Sequence, residues 1–253
     1  MTTIKTKREI ELMKVSGRIV GQALKLAREM VRPGITTKQL GDAIDDYIVS
    51  QGAWPSFKHY GEPPFPAAAC ISVNEAVVHG IPDGRVLQEG DIVSVDVGAL
   101  KDGYHGDAAR TFAVGEIDDA ARRLIETTEA CFWNGIAMAK AGNRLGDLSH
   151  TIEETAHKAG YSVVMELVGH GIGKDLHEDP NVPNYGRSGH GLCLQAGMAL
   201  AVEPMINQGR RQIALLDDEW TVVTEDGMLS AHYENTIVIT DGEPLVLTLE
   251  EES

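Results

Sequence analysis

The chain has 253 residues, 43% of them hydrophobic, enough to bury one substantial core. Its 38 acidic residues outnumber 22 basic ones for a formal charge of −16, which argues against a protein that grips phosphate backbones through clustered Lys and Arg, so no direct nucleic-acid binding is expected. Cys70, Cys131 and Cys193 are widely spaced and form no C-x-x-C pair, which argues against a disulfide framework or thiolate zinc site; a polar start and no run of roughly 20 apolar residues predict neither secretory leader nor membrane span, hence a cytoplasmic protein.

Apolar residues recur at helical spacing over 7–30, through Ile10, Met13, Val20, Ala23, Leu24 and Ala27, until Pro33-Gly34 ends the pattern. A second helix begins at Thr37, runs through Leu40, Ile44 and Ile48, and stops at Gly52; a Pro/Gly-rich loop fills 55–66. Short β-branched runs at 69–73, 77–79, 92–97 and 109–114 predict strands, with turns such as Pro82-Asp83-Gly84 and Asp102-Gly103. The order then repeats, with helices predicted at 119–141 and 145–159 and strands at 162–168, 198–202, 220–223 and 236–240.

Individual positions repeat as well. Leu87-Gln88-Glu89-Gly90 through Val95-Asp96 matches Leu194-Gln195-Ala196-Gly197 through Val202-Glu203 at an offset of 107. Gly34, Leu40, Ile44 and Gly52 recur as Gly142, Leu148, Ile152 and Gly160 at an offset of 108, and His79-Gly80-Ile81 echoes His170-Gly171-Ile172 at 91. Two copies of a helix-helix-strands unit, about 1–115 and about 116–253, are expected to form one α+β domain over 1–253, helices outside and equivalent strands meeting at the centre.

In the run from Asp91 to Gly98, alternation puts Val93, Val95 and Val97 on one strand face and Ile92, Ser94 and Asp96 on the other. Glu203 closes the run 198–202, Asp107 opens the run 108–112, and Glu234 opens the run 235–239. Burying a carboxylate without a partner costs several kcal/mol, and four converging acids repel one another. Arg110 can neutralise one of them by a salt bridge, not all four. Divalent metals can, and an oxygen-rich set completed by imidazole suits Mn²⁺, Fe²⁺, Co²⁺ or Zn²⁺.

His79, His170 and His177 are expected near these acids. The other six histidines (His59, His105, His150, His157, His190 and His232) read as structural or solvated, although His232 stands two residues before Glu234. The glycine-rich stretch 169–174 is not a phosphate loop, because Lys174 is followed by Asp175, and no G-x-S-x-G supports a serine nucleophile.

The motifs V-H-G-I-P at 78–82, V-D-V-G at 95–98, G-D-A-A-R-T at 106–111, G-H-G-I-G-x-x-x-H-E at 169–178, V-E-P at 202–204 and Y-E-N-T at 233–236 resemble those of the type I methionine aminopeptidases over nearly the whole chain. The resemblance implies the duplicated pita-bread fold with a central antiparallel sheet, a dinuclear metal site, and removal of an N-terminal methionine when the next residue is small. Carried over, Asp96 holds one ion, His170 and Glu203 the other, and Asp107 and Glu234 bridge both. His79 and His177 stand outside the metals against the substrate, Glu203 also shuttles a proton, and Phe65, Cys70 and Trp220 wall the methionine pocket. Three departures bear on pocket width and rim: Leu176 where the family often has Phe, Asn235 where His is common, and Glu62 in a usually aromatic lip.

The implied partners are nascent polypeptide N-termini, met near the ribosome by a monomeric enzyme. Two rival readings share the fold: a proline-directed aminopeptidase or dipeptidase, and a binding module that has lost its metals.

Overall fold

Helix α1 (Lys7–Met30) begins at a capping box: the Thr6 hydroxyl accepts from the Glu9 backbone N–H, and the Glu9 carboxylate accepts from the Thr6 N–H at 2.7 Å. Thr36 and Gln39 repeat the device at the start of α2 (Thr37–Ser50). The computed structural model describes residues 2–250. In chain order the strands of the first half are β1 (Trp54–Pro55), β2 (Ala69–Val73), β3 (Ala76–Val78), β4 (Ile92–Lys101) and β5 (Tyr104–Ala113). The second half opens with α3 (Asp119–Ile136) and α4 (Leu145–Lys158). Its strands are β6 (Ser162–Val163), β7 (Gly169–Gly171), β8 (Glu178–Val182), β9 (Ala199–Val202), β10 (Met205–Asn207), β11 (Ile213–Leu215), β12 (Val222–Thr224), β13 (Ser230–His232), β14 (Asn235–Val238) and β15 (Leu245–Val246).

Each half buries its own core. Val93, Val95 and Val97 pack under Val20, Leu24, Ile44 and Ile48 of the first helix pair. Leu200, Val202 and Ile237 pack in the same way under Leu124, Phe132, Leu148 and Ile152 of the second. The two main sheets are antiparallel, β1-β4-β2 with β5 on β4, and β15-β14-β9-β7-β8.

The duplication reaches single hydrogen bonds. Gly34 N–H donates to Leu87 O at 2.8 Å and Gly142 N–H to Leu194 O at 2.9 Å; Gly90 N–H donates to Val114 O at 3.0 Å and Gly197 N–H to Ile239 O at 2.9 Å. Gly34 and Gly142 share a left-handed φ of 92° and 95°, a conformation open to glycine and strained for other residues.

The halves join where β5 meets the chain at 232–236. Ala109 and Glu234 exchange backbone hydrogen bonds at 3.3 and 3.0 Å. On one side of that pair the Thr236 hydroxyl accepts from Asp107 N–H and donates to Asp107 O, both at 2.9 Å. On the other, the Thr111 hydroxyl does the same for His232, again at 2.9 Å twice. The pseudo-twofold axis therefore runs through the Ala109–Glu234 pair and relates Asp107 to His232.

Some expected strands differ. The run 162–168 is strand only at Ser162–Val163, and the run 220–223 starts at Val222, because Glu219 takes a left-handed turn (φ 64°) that leaves Trp220 out of the ladder. The helix expected to 141 stops at Ile136; Ala139 and Lys140 close local turns onto Ile136 O and Met138 O, and the next two residues bond to other segments, Ala141 N–H to Thr240 O and Gly142 N–H to Leu194 O.

The Glu9 carboxylate is held at a pKa of about 2 by the Thr6 backbone N–H and by the hydroxyls of Tyr104 and Thr6. A depressed folded value means that its contribution is complete above the ordinary value of 4.5 and is lost as pH falls through about 2. Glu9→Gln is expected to cost about 1 kcal/mol at pH 7, and its gap from wild type, followed by thermal unfolding, is expected to shrink from pH 4.5 downward.

Candidate active site

The seam brings all four sequence-predicted acids to one cavity of about 240 Å³: Asp96 from β4, Asp107 from β5, Glu203 directly after β9 and Glu234 directly before β14. Asp96 projects from the face of β4 opposite its valine stripe, so the alternation that builds the first core also aims this acid inward. Oxygens Asp96 Oδ1, Asp107 Oδ1 and Glu234 Oε1 are buried without a hydrogen-bond partner.

Arg110 does not serve these carboxylates. Its guanidinium donates to Glu234 O at 2.6 Å, Ala109 O at 2.8 Å and Asn235 Oδ1 at 2.8 Å, and lies over the Tyr233 ring at 4.2 Å. It stitches the backbone of the seam and leaves the acids to one another. Burial, then the charges of Asp96 and Glu203, pushes the Asp107 carboxyl well above its usual range. Burial, then Asp107, Glu203 and Asp96, does the same to Glu234, and burial followed by Asp96 raises Glu203. No lysine or arginine forms an ion pair with the four among the described residues; the nitrogens near them belong to histidines.

His170 and His232 are buried, His79 is half-buried and His177 stands at the exposed mouth. Burial pulls the pKa of His170 and His232 down to about 3 and that of His79 to about 4, and lowers His177. His170 Nε2 lies 3.7 Å from Glu203 Oε1 and 4.0 Å from Asp107 Oδ2. His232 Nε2 lies 3.8 Å from Glu203 Oε2 and 3.7 Å from Glu234 Oε2, without a hydrogen-bond partner. The ligand atoms of Asp107, His170 and Glu234 all fall within 4.8 Å of one another, as do those of Asp96, His232 and Glu234. Orphaned carboxylate oxygens, bare imidazole lone pairs and no compensating base are the donor set that a divalent cation requires.

His79, His177, Phe65, Cys70 and Trp220 line the same cavity, so each residue expected in the site is there. Trp220 meets the edge of Phe65 at 5.2 Å and of His79 at 6.0 Å, and Cys70 stands opposite Asp96 in the β2–β4 ladder. Leu176 is a wall, whereas Glu62 is exposed outside the cavity and Asn235 turns away to Arg110 and Thr248. Three residues were not anticipated: Phe57 and Tyr60 of the lip, and His232. His232 had a signal, its place two residues before Glu234; the lip aromatics lie in a loop without periodicity.

The loop carrying His177 is braced from behind. Lys5 pairs with Glu178 at 2.6 Å, and Glu178 Oε1 accepts from Lys174 N–H at 2.8 Å. His105, expected to be structural, bonds Ser56 Oγ through Nδ1 at 2.8 Å while its backbone N–H donates to Gly173 O at 2.8 Å.

Buried acids and imidazoles at the centre of a duplicated α+β fold define a metal-dependent hydrolase, and the chain belongs to metallopeptidase family M24, whose model matches residues 11–241. It is 52% identical over 250 residues to a methionine aminopeptidase of Clostridium acetobutylicum, covering 98% of this chain and 99% of that one. A solved methionine aminopeptidase from Rickettsia prowazekii superposes with a TM-score of 0.96 at 39% identity, over 98% of this chain and 100% of the other. Prolidase from Pyrococcus furiosus shares the fold at a TM-score of 0.80 and 24% identity, with 98% of this chain covering 66% of that longer one.

Chelated protein is expected to gain stability on Mn²⁺ addition, about 2.7 kcal/mol at a hundredfold excess over Kd, read as a rise in Tm. Asp107→Asn removes one repelling charge: it is expected to melt higher than wild type in chelator and to lose most of the Mn²⁺ response.

Proposed function

We propose that this protein removes N-terminal methionine from peptides and nascent chains whose second residue is small. The reading is carried by one observation: four carboxylates without a Lys or Arg partner among the described residues, Asp107 and Glu234 buried and Asp96 and Glu203 half-buried, converge with His170 in a cavity also walled by Phe65, Cys70, Leu176 and Trp220. Two divalent ions are proposed, from among Co²⁺, Mn²⁺, Fe²⁺ and Zn²⁺, with Asp96 on one, His170 and Glu203 on the other, and Asp107 and Glu234 shared. We further propose that residues 1–253 act as one catalytic domain, a monomer working in the cytoplasm near ribosomes. No helix among the described residues is long and apolar enough to cross a membrane.

When bound, such ions acidify water and polarise a peptide carbonyl. The chain's own groups do the rest. Glu203, raised by burial, takes the water's proton on a carboxylate oxygen and delivers it to the leaving amine. His177, with His79 beside it, donates to the oxygen on which negative charge develops. Phe65 and Trp220, packed edge to face in the cavity wall, supply the apolar contact for the substrate's first side chain.

Metal analysis of the purified protein is expected to find about two ions per chain at full activity. Met-Ala-Ser is expected to be cleaved and Met-Leu-Ser to resist; faster cleavage of an Xaa-Pro peptide, or none of Met-Ala-Ser by metal-replete protein, overturns the assignment. His177→Ala is expected to lower kcat by about a hundredfold, measured by methionine release.

A further inference from the structure

Two neighbouring imidazoles in the cavity are held by unlike partners. The rings of His170 and His177 lie 4.2 Å apart at 63°. His170 Nδ1 sits 2.9 Å from Gly171 O, an atom that only accepts, so its proton is on Nδ1 and its Nε2 is a bare lone pair facing Glu203 and Asp107. His177 Nδ1 instead sits 2.5 Å from the hydroxyl of Tyr60.

We propose that Tyr60 is a positioning residue: its phenol donates to Nδ1 of His177 and fixes that imidazole with its proton on Nε2, a hydrogen-bond donor toward substrate and not a metal ligand. An imidazole nitrogen is a better acceptor than a phenol oxygen, and a phenol a better donor than an imidazole N–H, so donation from Tyr60 is the favoured direction. The lip holds Tyr60 in place to do this. Tyr60 N–H donates to Phe57 O at 3.0 Å and Phe65 N–H to Tyr60 O at 2.8 Å. Gly61 follows at a φ of 78°, its backbone so close to Trp220 that a Cβ there would lie 2.5 Å from the indole. The ring of Tyr60 also packs on His177 at 5.1 Å.

The arrangement sorts two adjacent histidines into different tasks by their Nδ1 partners alone. With the opposite tautomer, Nε2 of His177 would be a second bare lone pair beside His170, competing for an ion and unable to donate. That His177 donates to the reacting carbonyl rests on the peptidase reading above; the tautomer itself does not.

The test is a two-bond ¹H–¹⁵N correlation spectrum of histidine rings in labelled protein, zinc-loaded and chelated, with His177→Gln identifying the signal. Wild type is expected to show His177 as the Nε2–H tautomer, and Tyr60→Phe, which keeps the ring contact, a mixture. In the same variant kcat for Met-Ala-Ser is expected to fall about tenfold with KM within about twofold, while Tm stays near wild type. An Nδ1–H tautomer in wild type, a variant whose tautomer is unchanged, or a changed tautomer with kcat unchanged overturns the proposal. The spectrum reads Tyr60 whatever the substrate, so a protein that cleaves no methionyl peptide overturns the peptidase reading alone.

Discussion

Four carboxylates drawn together away from bulk water, with no lysine or arginine paired to them among the described residues, constrain everything else in this molecule. Their mutual repulsion and desolvation oppose folding unless protons or cations compensate, and Arg110, the cation close enough to help, is committed to backbone carbonyls and Asn235. The fold meets this with rigidity. Each half carries its own apolar core, and the strands that bear the acids run from those cores to a seam where threonine hydroxyls, backbone pairs and a guanidinium satisfy the neighbouring polar groups. Oxygens of Asp96, Asp107 and Glu234 and Nε2 of His232 stay without hydrogen-bond partners, which ties the site's chemistry to cation binding.

The seam also explains why the site is not symmetrical. Asp96 and Glu203 are true equivalents, each at the same distance along the chain from a matching Gly turn at Gly90 and Gly197, Asp96 within β4 and Glu203 directly after β9. Asp107 and Glu234 are not: the axis pairs Asp107 with His232, and Glu234 with Ala109. In the proposed reading, the two bridging acids therefore come from different registers of the same junction, and the methionine pocket lies to one side of it, under a lip supplied by the first half.

Much of this was legible in the residues. The helical stripes of α1 and α2, the alternation of β4 and the repeated Leu-x-x-Gly turn each follow from a local periodicity, and the helices and β4 formed where it predicted. What stayed hidden has physical causes. The strands β7, β10 and β13 are three residues long, too short for a period to show. The repeat does not point to His232 because the offset that relates the halves grows from 107 at Asp96 and Glu203 to 125 at Asp107 and His232: the second half inserts β10 to β13 between its two paired strands, where the first half has a tight hairpin. Tyr60 acts through a contact 117 positions away, which no local pattern encodes.

The junction at Ala109 and Glu234 has the geometry of a twofold contact held within one chain. Two identical subunits meeting across such a line would present the same side chain twice at every position near the axis. Because both halves here belong to one sequence, they are free of that identity: one holds an aspartate where the other holds a histidine, and one has a long excursion where the other has a short hairpin. An even scaffold thereby carries an uneven centre.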